Sequence, residues 1–138
     1  MTRSFFDTNI LIYLYDEDEP EKRARALELF EEEVAAGRAA LSTQVLQEFY
    51  VNATRKLRRP LSPERAEARV RDFSGLPLVR VDAPMILAAI ARCRSQSFSF
   101  WDALIVEAAH AAGASRLLTE DLQHGQDIEG LRIENPFL

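Results

Sequence analysis

FFDTNILIYL, residues 5–14, sets three polar residues, Asp7, Thr8 and Asn9, between two apolar runs. The first run reads as a buried strand and the second as a helix. A corner of this kind needs one capping residue, because a single Asp, Thr or Asn side chain accepts the helix's orphan N–H groups. Three in succession leave polar groups to spare, and strand-to-helix corners are where open α/β sheets bind ligands.

Working outward, the chain keeps alternating short strands with longer helices. Residues 3–6 form the first strand, and ILIYLY a helix that ends near the acidic run DEDE, residues 16–19, expected to be a solvated loop. Pro20 opens a helix on which Leu27, Phe30 and Val34 recur at helical spacing until Gly37. Residues 39–41 give a second strand. Ser42 or Thr43 then opens a helix with Val45, Leu46, Phe49, Tyr50, Ala53 and Leu57 on one face, ended by Pro60. Ser62-Pro63 starts another helix, running to about Phe73. LVRV, residues 78–81, is strand-like, and Asp82 caps a helix from about Pro84 to Arg94. A further helix begins at Phe100 and closes at Gly113, a strand covers residues 115–118, and RIENPFL holds room for one more. The alternation predicts an α/β fold with a short, mainly parallel central sheet flanked by helices.

The length of 138 residues fits one domain, residues 1–138, and 47% hydrophobic with 28% charged residues is ordinary globular composition. The lone Cys93 cannot form an internal disulfide, and no Cys/His set suits a structural zinc site, which points to a reducing compartment. No apolar run approaches the roughly 20 residues of a membrane span, so a cytoplasmic protein is expected. A net charge of −5 argues against coating nucleic acid by bulk electrostatics but not against a nuclease, whose catalytic acids add to the negative total.

Four acids fall at corners of this outline. Asp7 follows the first strand, Glu48 lies one turn into the helix after the second, Asp102 sits in the first turn of a later helix, and Asp121 follows the strand ending at Leu118. Each has a plain structural reading: Asp7 as a cap, Glu48 as a surface residue, Asp102 in an S-x-x-D cap, Asp121 in a turn. Together they suggest more, because parallel strands share their C-terminal edge and acids at several corners can meet there. Gathered carboxylates repel unless a cation lies between them. Oxygen donors without paired His or Cys select Mg²⁺ or Mn²⁺, and such an ion suits phosphodiester hydrolysis.

FFDTNILIYL, STQVLQEFY, SFWDALIVEAA and LLTEDL, in that order and spacing, resemble the PIN domain, and in this compact form the VapC-type toxins of bacterial toxin–antitoxin pairs. The resemblance implies a PIN-like three-layer sandwich and a metal-dependent endoribonuclease, with Asp7, Glu48, Asp102 and Asp121 as the catalytic and metal-binding acids. It implies Mg²⁺ or Mn²⁺ as cofactor, an RNA substrate, a small antitoxin partner and a homodimer. Thr8, Asn9 and Thr119 match positions that shape the family's pocket. Glu120 and Asp121 are adjacent, and the family pattern, with its acid two residues after Thr, favours Asp121.

TRKLRRP supplies Arg55, Lys56, Arg58 and Arg59, which suit either a helix C-terminus or an RNA backbone. Trp101 is placed either to pack or to stack a base. His110 and His124 are isolated and are assigned no catalytic role. Two other readings compete: a PIN-like binding module without catalysis, and a Mg²⁺-dependent aspartyl-phosphate phosphatase or receiver-like domain. The second needs a lysine beside the phosphate, whereas Lys22 and Lys56 both lie within helix patterns and DTN lacks a second acid.

Overall fold

The computed structural model describes residues 2–138. Among them lie six strands, β1 (Arg3–Phe6), β2 (Ala39–Ser42), β3 (Leu78–Val79), β4 (Ala114–Leu118), β5 (Asp127–Ile128) and β6 (Leu131–Glu134). They form one sheet in the order β3-β2-β1-β4-β6-β5, parallel throughout except for the β5–β6 pair. The helices are α1 (Thr8–Tyr13), α2 (Pro20–Ala35), α3 (Thr43–Arg55), α4 (Pro63–Phe73), α5 (Ala83–Ser95) and α6 (Phe100–Ala111). This is the α/β sheet flanked by helices that the alternation predicts.

The central strands are buried on both faces, as parallel strands covered by helices must be: Phe5, Phe6, Leu117 and Leu118 are fully enclosed. Phe6 meets Phe30 of α2 edge to face, and the contact continues through Phe73 of α4 to Phe49 of α3. This aromatic chain locks three helices to β1. Ala89, Ala103 and Leu104 form a smaller cluster between α5 and α6.

Four details depart from the sequence-based outline. On α2, Leu27 and Val34 are exposed, while Ala26, Leu29 and Glu33 face inward. The helix is turned to this phase because Glu33 is neutralised by Arg38 at 2.8 Å and Arg116 at 3.0 Å, and accepts from the Ser4 hydroxyl at 3.1 Å. Tyr50, expected on the inner face of α3, is exposed. The segment LVRV pairs only through Leu78 and Val79, because the Val81 N–H turns to the Thr43 hydroxyl, 3.1 Å away. The tail gains a hairpin whose two-residue turn, Glu129-Gly130, has both φ values positive, 54° and 90°. That is the backbone twist tight hairpins require, built here without the usual Asn-Gly or Asp-Gly.

From β1 the chain first moves one way, to β2 and β3, then returns to place β4 on the other flank of β1. The order reverses between β1 and β4, and a crevice beyond the strand C-termini at such a reversal is the natural ligand site of an open α/β sheet.

Candidate active site

β1 and β4 end side by side, tied by the Asp7 N–H donating to the Leu118 carbonyl at 3.0 Å. Asp7 is therefore the first residue past β1 and the N-cap of α1, while Thr119 is the first past β4. The Thr119 hydroxyl donates to Asp7 Oδ2 at 2.7 Å, and the Thr8 N–H to Asp7 Oδ1 at 2.7 Å. Asp7 is 5% exposed. Burial, the largest influence, pushes its carboxyl up to about 7 against these two hydrogen bonds, and the charges of Asp121 and Glu48 push the same way.

Glu48 stands on α3, one turn in from the Ser42 cap, and accepts from the Thr8 hydroxyl at 2.7 Å and the Gln44 amide at 3.3 Å. The same Gln44 amide nitrogen donates to the Trp101 carbonyl at 3.3 Å, which ties α3 to the first turn of α6. Both neighbours are acceptors, so Gln44 Oε1 is left buried without a donor. Asp102 sits in that first turn, its N–H donating to Ser99 Oγ at 3.1 Å. Burial also raises its pKa, with Asp121 and Glu48 adding to the effect. Asp121 receives the Asn9 amide at 2.8 Å, and its N–H donates to Thr119 Oγ1 at 3.1 Å.

Asp7, Glu48, Asp102 and Asp121 thus line one cavity of about 330 Å³, together with Thr8 and Asn9. Thr119 stands behind its wall, fully buried beneath Asp7. Glu120 is turned away: its carboxylate takes the Lys22 ammonium at 2.6 Å and the Tyr13 hydroxyl. Burial pushes Glu120 up, but those two bonds outweigh it and hold it below the usual carboxylate range. Of the four basic residues, Lys56 lines the cavity, whereas Arg59 pairs with Glu17 at 2.8 Å and Arg55 and Arg58 lie outside. Trp101 is 61% exposed at the mouth.

The sequence outline gave no role to Asp16, Gln44 and Asn52, which line the same cavity. Gln44 and Asn52 are four residues to either side of Glu48, and that spacing alone puts them on its face of the helix. Asp16 gives no comparable signal, because an acid within DEDE reads as solvated.

Five carboxylates and a single cation, Lys56, line the cavity among the described residues. The donor set is all oxygen and suits a hard divalent cation. Among the described residues, however, no three His, Cys, Asp or Glu side chains gather closely enough to hold a metal ion. What fits is an ion that uses one or two carboxylates directly and keeps much of its water, the habit of Mg²⁺.

A crevice at the sheet reversal, walled by acids from separate elements, is the layout of an α/β fold with a ligand site at the strand C-termini. The PIN domain family matches residues 4–126, and the chain belongs to that family. Its structure is similar to a toxin–antitoxin complex from Klebsiella pneumoniae, at 21% identity over 96% of this chain and 97% of that one, TM-score 0.69. It is likewise similar to the DNA-bound VapBC of Salmonella typhimurium, at 25% identity over 99% of both chains, TM-score 0.66. A third similar structure is the sarcin-ricin loop cleaving toxin VapC20 of Mycobacterium tuberculosis, at 18% identity over 86% and 91%, TM-score 0.65. No curated protein matches the sequence. No helix among the described residues is long and apolar enough to cross a membrane.

Proposed function

We propose that this chain is a Mg²⁺- or Mn²⁺-dependent endoribonuclease, one nuclease domain over residues 1–138, acting in the cytoplasm as the toxin of a type II toxin–antitoxin pair. The observation that carries the reading is the meeting of four carboxylates, from the ends of β1 and β4, the second turn of α3 and the first turn of α6, in one cavity. Membership of the PIN family and the likeness to VapBC toxins support it.

Of Asp7, Glu48, Asp102 and Asp121, one or two would hold the ion directly and the others would bind the water it keeps. When bound, it supplies an activated water and stabilises the charge that builds on the phosphodiester as the bond breaks. The chain's own residues do the positioning. Thr8 serves two acids, its N–H holding Asp7 and its hydroxyl holding Glu48, so β1 and α3 keep a fixed separation. Asn9 turns its amide to Asp121 and spans toward Thr119, keeping the β4 acid open to the cavity. These donors orient the carboxylates without neutralising them, which leaves their charge for a cation. Lys56 meets a phosphate at the rim, and Arg55, Arg58 and Arg59 give the RNA backbone a basic approach.

A small antitoxin is the proposed protein partner, inserting an Arg or Lys among the acids in place of the metal, and a homodimer would present two such cavities. The test is incubation of purified protein with total RNA and Mg²⁺ or Mn²⁺, with and without chelator. Cleavage that stops on chelation and returns on adding metal is expected; activity that survives complete chelation overturns the reading. Metal binding with no cleavage of any RNA would return the chain to the class of PIN-like binding modules. Partnership is checked by co-purification with the product of the neighbouring reading frame.

A further inference from the structure

We propose that this chain carries an oxyanion site outside the carboxylate cavity, in which Arg23, Arg59 and Arg65 take a phosphate group, as free inorganic phosphate or as the phosphate of a mononucleotide. The proposal is independent of the nuclease reading. Its place is a depression of about 150 Å³ where the turn after α1, the start of α2 and the connection from α3 to α4 meet. Tyr15 and Glu17 line it from the turn, Arg23 from α2, Arg59 from the connection and Arg65 from the first turn of α4. Cavities that enclose larger organic ligands run to roughly 300 Å³ and above, so this one is sized for a single small group.

Charge selects the occupant. Three guanidinium groups and one carboxylate line the depression, in a chain whose net charge is −5. Arginine stays charged at any working pH, and its fork of N–H donors matches the oxygens of phosphate. Glu17, the one acid of the lining, takes Arg59 at 2.8 Å, and both members of that pair are well exposed. Such a pair contributes little, so an anion can take Arg59 over. Arg23 is anchored through Nε, which donates to the Leu14 carbonyl at 3.0 Å, and its terminal nitrogens are left for a ligand. Among the described residues neither Arg23 nor the Arg65 side chain is paired with a carboxylate. One guanidinium satisfies a planar carboxylate, whereas three converging forks suit a group with oxygens on every side.

The surroundings favour an anion as well. Tyr15 is set by an edge-to-face contact with Phe49, the ring centroids 5.8 Å apart. Burial pushes its hydroxyl above the usual range despite the nearby charges of Arg69 and Arg65, so it stays a neutral donor. Arg69, one turn after Arg65 on α4, pairs with Asp72 at 2.9 Å but keeps Nε buried without an acceptor. Buried donors of that kind are few in folded proteins, and this one adds to the positive field around Tyr15. The carboxylate cavity lies on the other side of a wall: Asp16, between Tyr15 and Glu17, and Leu57, two residues before Arg59, line the cavity and not the depression. Without metal, the five carboxylates of that cavity repel an anion. A phosphate in the depression ties the turn after α1, α2 and the start of α4 together, so its binding registers in the melting temperature.

The test is calorimetric titration of the purified chain under chelation with sodium phosphate and with 5′-AMP, against sodium chloride at matched ionic strength, beside melting curves in the same solutions. Saturable binding of phosphate and a melting temperature above that in chloride are expected. Arg65→Gln changes an exposed side chain and should melt like wild type in chloride, yet bind phosphate about ten-fold or more weakly. Arg65→Lys, which keeps the charge without the fork, should fall between. Glu17→Gln should bind more tightly than wild type, because it frees Arg59 and removes the one repelling charge of the lining. Affinity for 5′-AMP no greater than for phosphate assigns the site to the free ion, and affinity about ten-fold greater assigns it to the nucleotide. Absence of saturation up to about 10 mM of either, stabilisation that chloride matches, or binding indifferent to both Arg65→Gln and Glu17→Gln overturns the site.

Discussion

Replacing Asp7 by Asn separates the two things a carboxylate can do at the end of β1. Asn caps a helix about as well as Asp, so α1 keeps its start. The charge is what goes. In the metal-free protein, burial moves the Asp7 carboxyl from an ordinary 3.8 to about 7. At about 1.4 kcal/mol for each tenfold change in proton affinity, ionised Asp7 costs the fold about 4 kcal/mol above pH 7. An Asn at this position must donate to Thr119 Oγ1 rather than accept from it, which takes back about 1 kcal/mol. The metal-free variant should therefore be more stable than wild type by about 3 kcal/mol at pH 8. The sign follows from linkage: a raised carboxylate pKa leaves stability whole below 3.8 and removes it as pH climbs toward 7. The gap between the two proteins should thus be small at pH 4, widen to pH 7 and stay level beyond. Adding Mg²⁺ or Mn²⁺ should raise the wild-type melting temperature more than the variant's, narrowing the gap. The assay is paired urea unfolding across that pH range under chelation, then with metal, beside RNA cleavage. A variant that keeps full cleavage, with a stability gap independent of pH and metal, would refute the reasoning and leave Asp7 a helix cap.

Asp121→Asn should abolish most cleavage and leave folding intact, whereas Glu120→Gln should retain activity and lose about 1 kcal/mol or less with its half-exposed bond to Lys22; parallel kinetics and melting distinguish them. Thr119→Val removes a hydrogen bond that holds the Asp7 pKa down, so the acidic limb of the pH–activity profile should move to higher pH. Glu33→Gln leaves Arg38 and Arg116 short of a buried counter-charge and should cost about 3 kcal/mol at neutral pH. Arg38 holds Glu33 below its ordinary 4.5, so that deficit should be full above this value and shrink as pH falls further, read from denaturation at pH 3 to 7.

The corner at Asp7 was legible because it is local: apolar residues, three polar ones, then helix period. The caps Ser42, Ser62, Asp82 and Ser99 were legible for the same reason, and each accepts from a backbone N–H three residues on. Strand order was not, since it depends on pairings such as Phe6 with Leu118, far apart in the chain. That order is what sets Asp7 beside Thr119, and no periodicity reports it. The inward phase of α2 was misread because a buried glutamate looks like a surface residue until Arg38 and Arg116 are seen around it. Asp121 was favoured over Glu120 on the family pattern alone, and what turns Glu120 aside was not legible: Lys22, 98 residues away, draws it out of the cavity. The Glu129-Gly130 turn escaped notice because glutamate is an unusual choice where φ is positive.

Because β1 and β4 are neighbours in the sheet but far apart in the chain, the cavity cannot form until β4 has been synthesised. Asp7 and Glu48 leave the ribosome before Thr119 and Asp121, and before the β6 strand whose Glu134 carbonyl receives the Thr119 N–H. Until β4 docks against β1, Asp7 has no Thr119 hydroxyl beneath it and no Asp121 facing it across the crevice. A chain whose synthesis has not yet reached β4 lacks the assembled cavity, and whatever reaction the cavity runs can begin only after β4 has emerged. The order of residues along the chain acts as a delay on the order of seconds, set by elongation at about 5–20 residues per second.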